Sequence, residues 1–343
     1  MLKNLLPLLL LSLTLYACTA DTAGGVISND SSASVHRLQG EAMGSYYRIT
    51  YLGEELPGLQ ARVDSLLAAY NQELSAWVPE SRIVAFNESA EGISLSGTEH
   101  FVPNLELARR VHELSGGAFD PTISPLVRYW GFGTGERRTS AELDRAEIDS
   151  LLRLVDMAKV RLEGEFLHKD LPGVQLDLNA SAKGYGVDLI HDLLDQLDRP
   201  DHLVDIGGEM RGGGSKNGQP WRVAIRLPEE DRDKIAAAGT LPLAEGRAIA
   251  TSGNYLSYYK VDGETFSHTI NPRTGLVERN TLLSASVLAP DCATADAFAT
   301  ACMVLGPEGA LRLMAEREEL EGYFLVRGAD GALRTVKSAG LKE

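Results

Sequence analysis

The sequence predicts an α+β fold, or a mixed-sheet α/β one, in a single large domain. Helical and strand-like runs do not follow a regular βαβ alternation, and strands dominate the second half of the chain. The 343 residues are 44% hydrophobic, enough for a substantial core, and no Pro/Ser-rich linker or internal repeat divides them.

The elements follow from periodicity. "YYRITYL" (46–52) has the aromatic and β-branched content of a strand, and "LPGLQARVDSLLAAYNQELSAW" repeats apolar residues at helical spacing behind Pro57. "FVPNLELARRVHELSGG" reads as an amphipathic helix stopped by Gly116 and Gly117, and "SAELDRAEIDSLLRLV" as another with Ser140 as N-cap. Short strands are expected in "VRLEGEFLHKD" and "GVQLDL". A strand-to-helix junction follows in "LDLNASAKGYGVDLI" (176–190), and then "HLVDIGGEMRGGG" as a strand ending in a glycine turn. "WRVAIRLP", "RAIATSGNYLSYY", "SHTINPRTG" and "LLSASVLAP" read as strands; "TADAFATACMVLG" and "GALRLMAEREELEG" read as helices, with "YFLVRG" after them.

The first residues read as an export signal. Lys3 precedes a short apolar run and small residues before Cys18, a layout too short for a comfortable membrane span. Leu15, Tyr16, Ala17 and Cys18 resemble a bacterial lipobox, so residues 1–17 are expected to be a signal and Cys18 the lipid-bearing residue. Residues 18–38 read as a Gly/Ser/Asp-rich tether and 39–343 as the domain. Cys292 and Cys302 are the only other cysteines, which supports no disulfide framework or Cys-based metal site, although a single bond between them stays open outside the cytoplasm.

A formal charge of -15 without a basic run argues against nucleic-acid binding. An anionic ligand would need local counter-charge from backbone N–H groups, a few cationic side chains or a divalent cation. The glycines of "DIGGEMRGGG" lack dinucleotide-fingerprint spacing, and no P-loop, G-x-S-x-G elbow or H-E-x-x-H helix is present.

What remains is a scatter of small-residue segments, each with a polar side chain. Met43 in "EAMGSYY" and Asp120 in "SGGAFDPTISPLV" fit ordinary turns, Phe119 the core, and Trp77 either a core cap or an aromatic platform. Asp296 and Thr300 in "TADAFATA" fall one helical turn apart and offer hard oxygens to a cation such as Mg²⁺; the plainer reading of the spacing alone is an Asp at a helix start and a hydroxyl bonded back to its own helix. His268 in "SHTINPRTG" is a general base only if it reaches a reacting hydroxyl.

In order, these segments resemble the ApbE-type FAD:protein FMN transferases from about Gly40 to the C-terminal helix. The resemblance implies a mixed α/β domain of the ApbE, T-fold-like type, with antiparallel-rich sheets packed with helices. It implies an enzyme that binds FAD with Mg²⁺, Mn²⁺ being an alternative ion, moves FMN onto a Thr or Ser hydroxyl of a partner protein through a phosphoester, and releases AMP. Met43, Trp77, Ala118, Phe119, Asp120, Asp177 and Lys183 match FAD-contacting positions; Asp296, Thr300 and the Ala180 carbonyl match the metal site. His268 matches the histidine associated with transfer, with Asp177 as the second choice of base. Trp77 stands where Tyr is common, Asn179 and Ser181 replace small residues, and Asn271 replaces an Asp. A lipid-anchored protein on the exported side of the membrane is implied. The same motifs suit water as acceptor, giving FAD hydrolysis, or a flavin-binding lipoprotein without catalysis.

Overall fold

The computed structural model describes residues 34–132, 143–227, 237–244, 246–253, 258–261, 264–267 and 269–341. The expected signal, Cys18, most of the tether, Ser140 and His268 lie outside the described residues.

The domain opens with a hairpin of β1 (Val35–Ala42) and β2 (Ser45–Leu52). Its turn residues Met43 and Gly44 have φ of 51° and 69°, the sign that a two-residue turn between right-twisted strands requires. Helices α1 (Leu59–Leu74) and α2 (Arg82–Glu88) follow, then β3 (Gly92–Ser94) and α3 (Phe101–Leu114). Glu73, near the end of α1, accepts from the N–H groups of Glu99, His100 and Phe101 at 2.8 Å each, so a residue remote in sequence satisfies the free donors at the start of α3. The short α4 (Ser124–Tyr129) precedes α5 (Arg145–Leu152), whose N-cap is Asp144 rather than the expected Ser140: its Oδ1 accepts from Ala146 N at 2.8 Å.

Strands β4 (Val160–Glu163) and β5 (Phe166–Lys169) pair with β3 as a small antiparallel sheet. The expected strand in "GVQLDL" joins no sheet. The Asn87 side chain takes both backbone groups of Leu176, accepting from its N–H (2.7 Å) and donating to its carbonyl (2.8 Å), and Asp177 N–H donates to the Pro121 carbonyl at 2.7 Å. With these bonds satisfied, the segment is extended without a neighbouring strand.

Helix α6 (Asn179–Gln196) leads into β6 (His202–Ile206) and β7 (Glu209–Gly213). "HLVDIGGEMRGGG" is therefore two strands turning at Gly207 and Gly208, not one strand. Then come β8 (Trp221–Arg226), β9 (Ala237–Leu243), β10 (Ala248–Gly253), β11 (Tyr258–Val261), β12 (Glu264–Ser267) and β13 (Leu282–Ala289). The region after His268 is a turn closed by an Ile270–Val277 bridge, not a continuous strand. Helix α7 (Cys292–Ala315) breaks at Gly306 (φ 69°) before Pro307, and β14 (Glu321–Arg327) and β15 (Leu333–Lys337) finish the chain.

The main sheet runs β1-β2-β6-β7-β10-β13-β14-β15, antiparallel at every pairing, which bears out the antiparallel-rich α+β expectation. Helices α6 and α7 pack on one face and the β8–β9 hairpin covers part of the other, through a cluster that includes Trp221, Val223, Leu243 and Leu325. The C-terminal half of α6 is tied to β6 by buried histidines: His191 Nδ1 lies 2.7 Å from His202 Nε2, and His202 Nδ1 lies 2.7 Å from the Arg199 carbonyl. Burial lowers both imidazoles, His191 to about 3, so neutral rings make this link.

Cys292 and Cys302 are free and buried. Ten residues apart on one helix, they are separated by about 15 Å of rise, far beyond disulfide reach, which corrects the open expectation of a bond. No helix among the described residues is long and apolar enough to cross a membrane.

Helices α6 and α7 approach each other closely at Gly184. A Cβ on Gly184 would come within 2.3 Å of the Cys292 carbonyl oxygen, so only glycine lets the two backbones meet there. Gly184→Ala should lower unfolding stability by about 1–3 kcal/mol through overpacking, measured by denaturant unfolding. Gly239→Ala, with nothing nearer than 3.9 Å, should stay within about 0.5 kcal/mol of the parent.

Candidate active site

The extended segment held by Asn87 delivers Asp177 to the mouth of α6. Its Oδ1 accepts from Asn179 N–H at 2.9 Å; burial raises the carboxyl's pKa while the Asn179 bond pulls it down. Ala180 and Ser181 form the first turn, with Ser181 buried and its hydroxyl donating to the Leu178 carbonyl (3.2 Å). The helix thus opens with small side chains, and its N-terminal end is suited to an anion, although the Asn179 and Ser181 N–H groups donate to Asp177 Oδ1 and the Leu178 carbonyl.

One turn further, Lys183 Nζ lies 2.6 Å from Glu209 Oε1 on β7. Next to it, Gly184 N–H donates to Asp296 Oδ2 of α7 at 3.0 Å. In a regular helix that N–H would return to the carbonyl of Ala180. Asp296 is buried, and burial pushes its carboxyl up to about 7, opposed by Lys183 and reinforced by Glu209. Burial pulls Lys183 down, but Asp296 and Glu209 outweigh it and hold the ammonium above its ordinary range.

Asp296 is not the cap of α7. Asp291 is, accepting from Thr294 N–H at 2.8 Å, and Asp188 of α6 accepts from Cys292 and Ala293 N–H at 2.9 and 2.8 Å while paired with Arg211 at 2.7 Å. Thr300 does not bond back to its own helix; its Oγ1 is 3.2 Å from Ser252 Oγ on β10. Both ordinary explanations of "TADAFATA" are therefore set aside.

The donors fit a hard divalent cation. Asp296, Thr300 and the Ala180 carbonyl offer oxygen alone, which suits Mg²⁺ or Mn²⁺. Two buried carboxylates, Asp296 and Glu209, face one ammonium, and Glu209 Oε2 is buried with no hydrogen-bond partner among the described residues. An unpaired buried carboxylate oxygen is costly, and a cation with its waters would relieve it.

The other expected positions are distributed around this centre. Met43 packs from the β1–β2 turn against α6, its Cε 2.8 Å from where a Cβ on Gly186 would stand. Trp77 is 60% exposed, which overturns the core reading and leaves a rigid aromatic face at the surface beyond α1. Ala118 and Phe119 are buried. Asp120 caps the turn at Pro121–Ile123, accepting from Thr122 N–H at 2.8 Å; its Oδ2 is 3.4 Å from His112 Nδ1, and burial raises it while the Thr122 bonds lower it. The turn after His268 is bound to this region: Arg273 donates to the Gly116 carbonyl at 2.5 Å. Asn271 donates to Glu278 at 2.6 Å, a bond that an ionised Asp could not make.

Sequence reasoning missed Glu209, Ser252, Asn87 and Asp188. The signal for Glu209 was present: an acid directly after Gly207 and Gly208 in a segment already singled out. Ser252 and Asp188 lie inside quoted motifs whose strand- or helix-like pattern accounted for them, and Asn87 carries no local signal because its partner, Leu176, is 89 residues away.

The ApbE family model matches residues 43–324. The chain belongs to the ApbE family. Among curated relatives, the FAD:protein FMN transferase of Vibrio cholerae is 34% identical over 304 residues, covering 86% of this chain and 88% of the relative. The FAD:protein FMN transferase of Escherichia coli K12 is 31% identical, covering 85% and 84%. Among solved structures, the flavin transferase ApbE from Vibrio cholerae superposes with a TM-score of 0.78 at 32% identity, covering 90% of this chain and 98% of that one. The apo flavinyl transferase ApbE of Pseudomonas stutzeri gives 0.77, also at 32%, covering 90% and 96%.

The raised Asp296 carboxyl has a pH signature. A native value of about 7 against an ordinary 3.8 means the folded state holds this proton more tightly, so its contribution is complete below about pH 4 and lost as pH rises through 7. Without divalent metal, Asp296→Asn should be more stable than the parent at pH 8, by about 2–4 kcal/mol. The gap should close toward pH 4. Denaturant unfolding in a chelator at several pH values measures both.

Proposed function

We propose that this chain is an FAD:protein FMN transferase, taking FMN from FAD onto a Thr or Ser hydroxyl of an acceptor protein and releasing AMP. The observation that supports the reading is the meeting of α6 and α7, where Gly184 N–H reaches Asp296 Oδ2, the neighbouring Lys183 holds Glu209, and Thr300 follows Asp296 by one helical turn. Curated relatives, most of whose length this chain covers, bear that activity in their names.

In this reading Asp296, Thr300 and the Ala180 carbonyl hold Mg²⁺, with Mn²⁺ as a substitute. The cation supplies counter-charge to the pyrophosphate and to the leaving phosphate. Lys183 and the N–H groups opening α6 hold the phosphates, so an acidic protein binds an anionic substrate through local charge. Trp77 offers a stacking face to the flavin ring, and Met43, Ala118, Phe119, Asp120 and Asp177 shape the cofactor's bed. The acceptor hydroxyl attacks the FMN phosphorus; the new O–P bond forms as the P–O bond to AMP breaks. His268 takes the hydroxyl proton, with Asp177 the second choice. Positioning and electrostatics carry the rate, because no covalent bond to the enzyme forms.

We further propose that Cys18 carries the lipid and that the domain works on the exported, periplasmic side of the cytoplasmic membrane, on a membrane redox partner. The support is the signal layout of residues 1–17 and the tether composition.

Mass spectrometry of an acceptor bearing a flavinylated Thr motif, incubated with the soluble domain, FAD and Mg²⁺, should show the gain of one FMN. Asp296→Ala and His268→Ala should each abolish it. Free FMN and AMP without adduct would mean water is the acceptor, and intact FAD with a competent acceptor would leave only binding. Trp77→Ala should raise KM for FAD about three- to tenfold with a smaller change in kcat, read from steady-state transfer rates.

A further inference from the structure

Glu209 lies outside the metal and cofactor positions expected from the sequence, yet it is the group most in need of explanation. It is 2% exposed at the first position of β7. Its two oxygens have different fates: Oε1 holds Lys183 Nζ at 2.6 Å, whereas Oε2 is buried without a partner among the described residues. The strand turn supplies no donor to Oε2. The nearby N–H of Gly208 goes to Asp205 Oδ1 at 2.9 Å, and a Cβ on Gly207 would stand 3.5 Å from Oε2 and 2.9 Å from the Ser45 hydroxyl, which makes no bond to Oε2. A carboxylate oxygen buried without a donor calls for an ordered water or an ion to satisfy it.

The surrounding charges say what would arrive. Asp296 and Glu209 are both buried and both act on the one Lys183 ammonium, so that with both ionised one negative charge is in excess, and the raised Asp296 carboxyl relieves it by holding a proton. That excess calls for a cation at the junction of α6, α7 and β7. A neutral or anionic group would not satisfy it.

We propose that Glu209 is a positioning residue that couples Lys183 to the bound cation. Oε1 fixes the ammonium in the orientation that receives phosphate, and Oε2 accepts from a water carried by the divalent cation. Glu209 thereby adds to cation affinity without ligating the ion and keeps Lys183 from collapsing onto Asp296, which would remove the ion's own ligand. This inference rests on the cation site proposed above.

Mn²⁺ alone, titrated into the chelator-treated soluble domain and followed by the electron paramagnetic resonance of the free ion, tests it without reference to turnover. Glu209→Gln keeps an acceptor for Lys183 and removes the charge; it should weaken Mn²⁺ binding at least tenfold. Asp330→Asn, which removes an exposed acid on the β14–β15 turn paired with Arg334, should leave Mn²⁺ affinity unchanged and controls for net charge. Glu209→Asp should recover part of the loss. Circular dichroism melts confirm folding, and Glu209→Ala serves if Glu209→Gln does not fold. Mn²⁺ affinity in Glu209→Gln within twofold of the parent, with Asp296→Asn strongly weakened, would overturn the role of Glu209 and leave the cation site standing. Unchanged affinity in Asp296→Asn as well would overturn both.

Discussion

The site depends on two helix backbones meeting at Gly184. Without a Cβ there, α6 approaches the first turn of α7 closely enough for Gly184 N–H to reach Asp296 Oδ2. The contact fixes three things together: the depth at which Asp296 is buried, the direction in which Lys183 leaves α6, and the register of Ala180 against α7. Asp188 reinforces it from the α6 side by taking the free N–H groups of Cys292 and Ala293, so each helix helps to terminate or anchor the other.

Charge follows from that geometry. An Asp and a Glu buried beside one Lys form a site that is destabilised when left alone, and the raised Asp296 carboxyl is the measure of it. Such strain at a functional centre is the ordinary cost of a group poised for a ligand. The overall charge of -15 is no obstacle to a phosphate-bearing substrate, because the counter-charge is delivered within a few residues. The sheet contributes as a platform: β7 presents Glu209 and β10 presents Ser252 to the helices lying across them.

Much of this was legible in the residues. The periodicity of α1 and α3, the aromatic and β-branched content of β2, and the one-turn spacing of Asp296 and Thr300 are local signals, and local signals survive folding. The failures were all questions of partner. "GVQLDL" has a strand's composition, but Asn87, 89 residues earlier, takes the bonds a strand would have made. Trp77 has the chemistry of a core residue and an exposed position. Ser140 and Asp144 are equally good caps by type, and only the geometry selects Asp144. Glu209 was hidden for the same reason: an acid after two glycines looks like a turn until Lys183, 26 residues away, is brought to it.

The most direct measurement is a crystal structure of the soluble domain with FAD and Mn²⁺, using anomalous scattering at the manganese edge to locate the ion. The expected result is a peak at coordination distance from an Asp296 oxygen, Thr300 Oγ1 and the Ala180 carbonyl, with the pyrophosphate beside Lys183. An ordered FAD whose manganese peak lies away from α6 and α7, or whose pyrophosphate lies away from Lys183, would contradict it.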